Sequence, residues 1–209
     1  MSRFLNRMKA VPVLMGLSLL AACGSSPQVQ YFQLRAEPPG TPPSPVSAPV
    51  SADSTASAIA GIWALGPVQI PEYLDRDAIV RPSGQAMLRL TPSERWAEPL
   101  RDAIPRLLLQ DLARLHGSAR IWRLPLPPGL SAERQLRVDI QRLDADADAG
   151  LRPLLVLQAR WTWLDPSGRQ PPNVREQRFE VPAGDGGTDA LVAAHRAALW
   201  ALAQAIATH

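Results

Sequence analysis

Gln135-Leu136-Arg137-Val138-Asp139-Ile140-Gln141-Arg142-Leu143 alternates apolar side chains with charged or amide ones. Successive side chains of a β-strand point to opposite faces, so Leu136, Val138 and Ile140 share a buried face that Leu143 also joins. The arginines and Asp139 fall on the solvent face. Leu154 to Leu164, downstream, is more apolar and reads as a central strand. Trp161 and Trp163 share one face of it; large aromatics usually fill cores, the alternative being a lipid- or protein-facing patch. Asp165-Pro166-Ser167-Gly168 reads as a turn and Asn173 to Val181 as the next strand. Thr188 to Ala207 changes period: Leu191, Ala194, Ala198, Leu202, Ala205 and Ile206 form the stripe of an alanine-rich helix.

Upstream, Ala119 to Leu124 is a short strand that ends at Pro125. A helix is expected from Ser93 to His116. Trp96, Leu100, Ala103, Ile104, Leu107, Leu108 and Leu115 form its apolar face, Ser93 its cap, Pro105 a kink and Gly117 its stop. Ala78 to Arg81 and Ala86 to Leu90 flank Pro82-Ser83-Gly84-Gln85 and read as a hairpin. Ile62 to Ile70 has strand character with a break at Gly66-Pro67, where a residue without an N–H marks an edge or a bulge. The order is strands, helix, strands, helix. It predicts an α+β fold, an antiparallel sheet with two helices packed on one face.

Residues 1–23 read MSRFLNRMKAVPVLMGLSLLAAC. Arg3, Arg7 and Lys9 precede an apolar stretch, Ala10 to Leu20, that is short for a membrane span. Leu20-Ala21-Ala22-Cys23 resembles the lipobox of bacterial lipoproteins, in which a cysteine thiol takes a diacylglyceryl group and small residues permit cleavage just before it. Residues 1–22 are then a signal peptide and Cys23 the lipidated first residue. Each buried methylene of the lipid contributes about 0.8 kcal/mol of membrane affinity, so several acyl chains anchor firmly. Cys23 is the only cysteine, which excludes an internal disulfide. Gly24 follows it, resembling lipoproteins sorted to the outer membrane. Residues 23–58 form a lipidated N-terminus with a Pro/Ser-rich linker. Tyr31-Phe32-Gln33-Leu34 is expected to dock as a short first strand, the alternative being a leash throughout. The folded domain is expected over 59–209.

The sequence pI is about 9.7. Removing the three N-terminal cations from the 22 basic residues leaves 19 against 19 acidic ones, so the processed chain is near neutral. A nucleic-acid partner is not expected without a dense Lys/Arg face. Of the three histidines, His209 is the last residue, His116 ends the first helix, where a cation suits the dipole, and His195 lacks an acid at catalytic spacing; no nucleophile or phosphate-loop motif occurs. No catalytic residues and no cofactor are expected. Asp144-Ala145-Asp146-Ala147-Asp148 alternates carboxylates as a calcium loop does, but the closing glutamate is missing. It reads as a solvated hairpin tip, and no metal site is expected.

Gly66-Pro67-Val68-Gln69-Ile70-Pro71-Glu72-Tyr73-Leu74-Asp75-Arg76 resembles the GPVxIPxYLDR segment of the PqiC family, the ABC-type transport auxiliary lipoproteins. Arg95-Trp96-Ala97-Glu98-Pro99-Leu100 resembles that family's RWAEPL helix start, and Tyr31 to Leu34 its aromatic first strand. The Pro/Ser-rich insertion after Leu34 is longer than the pattern. The resemblance implies a non-enzymatic subunit anchored in the outer membrane. Its partner would be an MCE-domain protein of a system that moves lipids between the two membranes, and it would be homo-oligomeric. Pro71, Tyr73, Leu74, Asp75 and Arg76 are candidates for partner or subunit contact, with a local Asp75–Arg76 ion pair as the competing role.

Overall fold

The structure is a computed structural model, and it describes residues 28–40, 61–83, 87–116, 121–146 and 153–208. The lipobox, the linker and the tip beyond Asp146 lie outside the described residues. Within them the chain forms β1 (Gln30–Phe32), β2 (Trp63–Gln69), a 3₁₀ turn (Glu72–Leu74), β3 (Ala78–Pro82) and β4 (Leu88–Trp96). Next come α1 (Leu100–His116), β5 (Ile121–Arg123), β6 (Arg134–Asp146), β7 (Leu154–Leu164), β8 (Asn173–Pro182) and α2 (Thr188–Ala207). The fold is α+β, as the order of elements predicts.

Among the described residues there are two sheets, and both are mixed. One has the order β1-β4-β3, the other β5-β2-β6-β7-β8. β6, β7 and β8 are antiparallel neighbours, but β2 runs parallel to both β5 and β6, and β1 parallel to β4. The expectation of one antiparallel sheet is therefore corrected. Periodicity fixes which side chains share a face but not the direction of the neighbouring strand. The long path from β2 through β3, β4 and α1 supplies the crossover that a parallel pair needs.

The alternation in β6 places its residues as expected. Leu136, Val138 and Ile140 pair with Trp163, Trp161 and Ala159. The register shifts between Ile140 and Arg142, and Leu143 then pairs with Leu157. A bulge of one residue keeps Leu143 on the inner face although it stands three positions from Ile140. All four are at most 2% exposed. Trp161 and Trp163 are buried in the same core.

α1 packs against β2 and β5, α2 against β6, β7 and β8, and the helices touch each other. α2 is 20 residues long with a mean hydropathy of 1.3, enough by length and composition to cross a membrane. Here its stripe of Leu191, Ala194, Ala198, Leu202 and Ile206 joins the common core. That stripe was expected.

α1 starts later than expected. Ser93 and Trp96 belong to β4, and the helix begins at Leu100. Pro99 disfavours helical backbone at Glu98, which separates Ser93 to Glu98 from the helix that follows. The Pro99 carbonyl instead accepts from the Asp102 and Ala103 amides at 2.9 and 3.0 Å, opening the helix. α1 continues through Pro105, which is buried. The missing hydrogen bond there costs less than the burial of Ile104, Leu107 and Leu108 returns.

β3 and β4 form the expected hairpin, closed by the Ser83 amide on the Met87 carbonyl at 2.7 Å. Arg81 joins this sheet to the start of α2, donating to the Gly186 carbonyl at 2.7 Å and to Thr188 Oγ1 at 2.6 Å. β1 docks beside the end of β4, and Leu34 beyond it is 3% exposed.

Candidate functional site

The segment that opens at Gly66 begins as a bulge. The β2–β6 register shifts between Leu65 and Val68, so Pro67 lies where no ladder hydrogen bond is required. Gly66 is buried, and a Cβ there would stand 3.1 Å from the Leu136 carbonyl oxygen. The chain then leaves the sheet through Pro71, which is extended (φ −60°, ψ 143°) and whose carbonyl accepts from the Leu74 amide at 3.0 Å.

This 3₁₀ turn is pinned from three sides. Leu74 is 3% exposed and enters the core. The half-buried Tyr73 donates from Oη to Asp144 Oδ2 at 2.7 Å, and Oη in turn accepts from the Leu143 amide at 3.4 Å. Burial first, then the Asp144 carboxylate, hold the Tyr73 phenol well above its ordinary pKa, so it stays protonated. Asp75 accepts from Arg101 Nη1 on α1 at 3.0 and 3.1 Å. The local ion pair weighed for Asp75 is thus made with Arg101 of α1 and not with Arg76. Arg76 is exposed, and its amide donates to the Leu74 carbonyl at 2.9 Å. Of the five candidates, Tyr73 and Leu74 face inward, while Asp75 and Arg76 are exposed and Pro71 half-buried.

Asp144 is not a solvated tip residue. It is 7% exposed, and besides Tyr73 it takes Arg142 Nε at 2.8 Å. β6 runs on through Asp146, longer than its clean alternation suggested, which brings Asp144 under the turn.

The second motif is mostly structural. Trp96 is buried and meets the His195 ring edge-on at 5.3 Å between centroids. Glu98 accepts from Arg106 Nη2 at 2.5 Å. His195 is 3% exposed; its Nδ1–H donates to the Leu191 carbonyl at 2.8 Å, and burial lowers its pKa to about 4. A ring held neutral and bonded to its own helix serves packing.

A buried ion pair joins the helices. Arg196 Nη1 and Nη2 donate to Asp111 Oδ2 and Oδ1 at 2.9 and 2.7 Å, with 7% and 0% of the two side chains exposed. The same guanidinium donates to the Arg35 and Ala36 carbonyls at 2.9 and 3.1 Å, and Arg114 also donates to Ala36. Burial pushes the Asp111 carboxyl up, and Arg196 opposes that shift. The segment after β1 is therefore strapped across both helices. The apolar stripes do not name this pair, though a signal for it is present: Asp111 interrupts the Leu107-Leu108-Leu112 stripe, and Arg196 lies between buried Ala194 and Ala198.

At the far end of the large sheet an open cleft of about 1280 Å³ is lined by Trp63, Trp163, His116, Arg134 and Arg169, among others. Trp63 meets Trp163 and His116 edge-on at 4.6 and 4.7 Å, and Arg134 sits 5.7 Å from the Trp163 ring centre. Among the described residues no three His, Cys, Asp or Glu side chains gather in a metal-binding group.

A family model for the ABC-type transport auxiliary lipoprotein component matches residues 43–207. The chain belongs to this family. The match includes Gly66 to Arg76, Arg95 to Leu100 and both helices, while β1 precedes it. Two solved structures share the fold of this auxiliary lipoprotein. Protein XCC0632 from Xanthomonas campestris has a TM-score of 0.67 at 14% identity, over 86% of this chain and 93% of that one. An uncharacterized protein has a TM-score of 0.63 at 16% identity, over 87% and 97%. No curated protein matches the chain.

Rigidity is what the arrangement offers. The family segment is fixed to the core, to β6 and to α1 by Leu74, Tyr73 and Asp75. A surface fixed in this way can be recognised without the entropy loss that ordering a free loop would cost. In this auxiliary lipoprotein the exposed part of that surface is Glu72, Asp75 and Arg76 with Arg101, beside the half-buried Pro71.

Proposed function

We propose that the chain is the outer-membrane-anchored, non-catalytic adaptor of an MCE/ABC-type intermembrane lipid transport system. In this reading Cys23 carries the lipid, residues 1–22 are removed, and the body from residue 59 onward faces the periplasm. Gly24 after the cysteine supports the outer-membrane placement. The family membership carries the reading. The exposed rim of the pinned turn supports it as the face that meets an MCE-domain protein or a second copy. The alternative of a lipid carrier with an internal apolar cavity is less well supported: Trp161 is packed in the core, and the cleft that Trp163 borders is open and edged by Arg134 and Arg169.

Mild-detergent extraction followed by affinity capture of the full chain is expected to retain an MCE-domain protein. Exchanging the charges of one ion pair, Asp75→Arg with Arg101→Asp, keeps the local pairing but inverts the outer surface. Loss of capture at unchanged thermal stability supports partner contact. Retained capture assigns the pair to local structure, and no MCE-domain protein with either chain refutes the adaptor role. Intact-mass analysis that finds no lipid on Cys23 removes the anchor.

A further inference from the structure

β1 runs parallel to β4, with Gln30, Tyr31 and Phe32 opposite Glu94, Arg95 and Trp96. Because the strands are parallel, the chain preceding Gln30 approaches from the end of β4 where Leu88 lies. That end is the tip of the β3–β4 hairpin. Along β4, Glu94 and Leu88 are six residues apart, at most about 20 Å. Cys23 is seven residues before Gln30, so the chain between them spans at most about 24 Å. A lipid on Cys23 therefore cannot sit far beyond the hairpin tip.

The tip is unusually apolar for an exposed strand end. Met87, Leu88 and Leu90 are 65%, 43% and 41% exposed, and Tyr31 on the neighbouring strand is 67% exposed. β1 covers only the Glu94–Trp96 part of that side of β4, so among the described residues the Leu88–Leu90 edge has a single pairing strand, β3. Arg89, between the two leucines in sequence and so on the opposite face of the strand, is also exposed, which puts a cation at the same end of the hairpin for headgroup phosphates. Apolar side chains beside a cation, within reach of an acyl anchor, suit a bilayer interface.

We propose that the β3–β4 hairpin tip, through Met87, Leu88 and Leu90, inserts into the headgroup region of the same bilayer leaflet that holds the Cys23 lipid. This rests on the Cys23 reading of the proposed function. The tip then acts as a second, reversible contact that fixes the orientation of the body on the membrane. With two contacts, the pinned turn and the cleft keep a fixed attitude to the leaflet instead of swinging on a leash.

The test uses the full chain, purified from membranes and reconstituted in vesicles of phosphatidylethanolamine and phosphatidylglycerol. Met87→Cys adds a thiol that takes an environment-sensitive dye, since an acylated Cys23 does not react. Val174→Cys, at the exposed start of β8, is the control. The expected result is co-flotation of both, a blue-shifted emission at position 87, and severalfold stronger quenching there than at 174 by lipids carrying a shallow nitroxide. Adding Leu88→Ser with Leu90→Ser, both at exposed positions that leave the fold intact, is expected to return the emission to its water value without abolishing flotation. Flotation with water-like, unquenched emission at 87 overturns the docking alone. A blue shift that lipid nitroxide does not quench means a protein surface or second copy covers the tip, and also overturns it. A chain that does not float has no anchor, which overturns the Cys23 reading and the docking with it.

Discussion

Asp111→Ala isolates the ion pair that straps β1 to the helices. In the wild type the Asp111 side chain is 0% exposed and Arg196 7%, and each guanidinium nitrogen on that side meets a carboxylate oxygen at 2.7 to 2.9 Å. Removing the acid leaves a buried cation without a carboxylate, facing the Arg35 and Ala36 carbonyls and the Trp200 ring. Breaking a buried pair from one side costs about 3–5 kcal/mol, out of a total stability of about 5–15 kcal/mol. For a domain of this size each kcal/mol moves Tm by about 2–4 °C, so a fall of about 6–20 °C is expected. The double variant Asp111→Leu with Arg196→Met removes both charges and is expected to regain most of that loss, because well-packed apolar replacements of buried pairs are often neutral. It does not fully restore the strap: the exposed Arg35 carbonyl turns to water and the Ala36 carbonyl keeps Arg114 alone, so β1 loosens. Urea and thermal unfolding followed by circular dichroism measure the first effect. Amide exchange over Gln30 to Phe32 measures the second. A single variant that loses under about 1 kcal/mol, or a double variant no better than the single, refutes the reasoning.

His195 makes stability depend on pH. Its folded pKa of about 4 lies below the ordinary value of 6.5, so the unfolded chain takes up a proton that the folded one refuses. Its contribution is flat above pH 6.5 and falls by about 3 kcal/mol as the pH drops toward 4. His195→Leu should flatten this part of the curve, and equal wild-type and variant slopes in urea titrations over that window exclude the mechanism. Tyr73→Phe should cost about 1 kcal/mol, read as a lower urea midpoint at unchanged slope, since the Asp144 carboxylate keeps Arg142 as partner. Gly66→Ala is expected to destabilise by about 1–3 kcal/mol, because its Cβ presses on the backbone carbonyl of Leu136 and a backbone atom cannot swing aside. An unchanged Tm for that variant shows that the bulge relaxes instead.

Periodicity determined a good deal by itself. The period of two from Leu136 to Ile140 set the inner face of β6, and the 3.6-residue stripe from Leu191 to Ile206 set α2 from Thr188 to Ala207. The segment from Gly66 to Arg76 was enough to point to the family that the match to residues 43–207 shows. These features are local: each depends on which neighbouring side chains share a face or a turn, and sequence order contains that directly. Only the tertiary structure decided the rest. Strand direction made both sheets mixed, because alternation is the same for parallel and antiparallel neighbours. Pro99 set the helix start at Leu100 instead of Ser93, a contest between apolar spacing and backbone sterics that spacing alone misreads. Tyr73 finding Asp144 and Arg196 finding Asp111 join residues 71 and 85 positions apart. Such partners are set by how the layers pack, and the sequence shows only that each polar group, once buried, needs one.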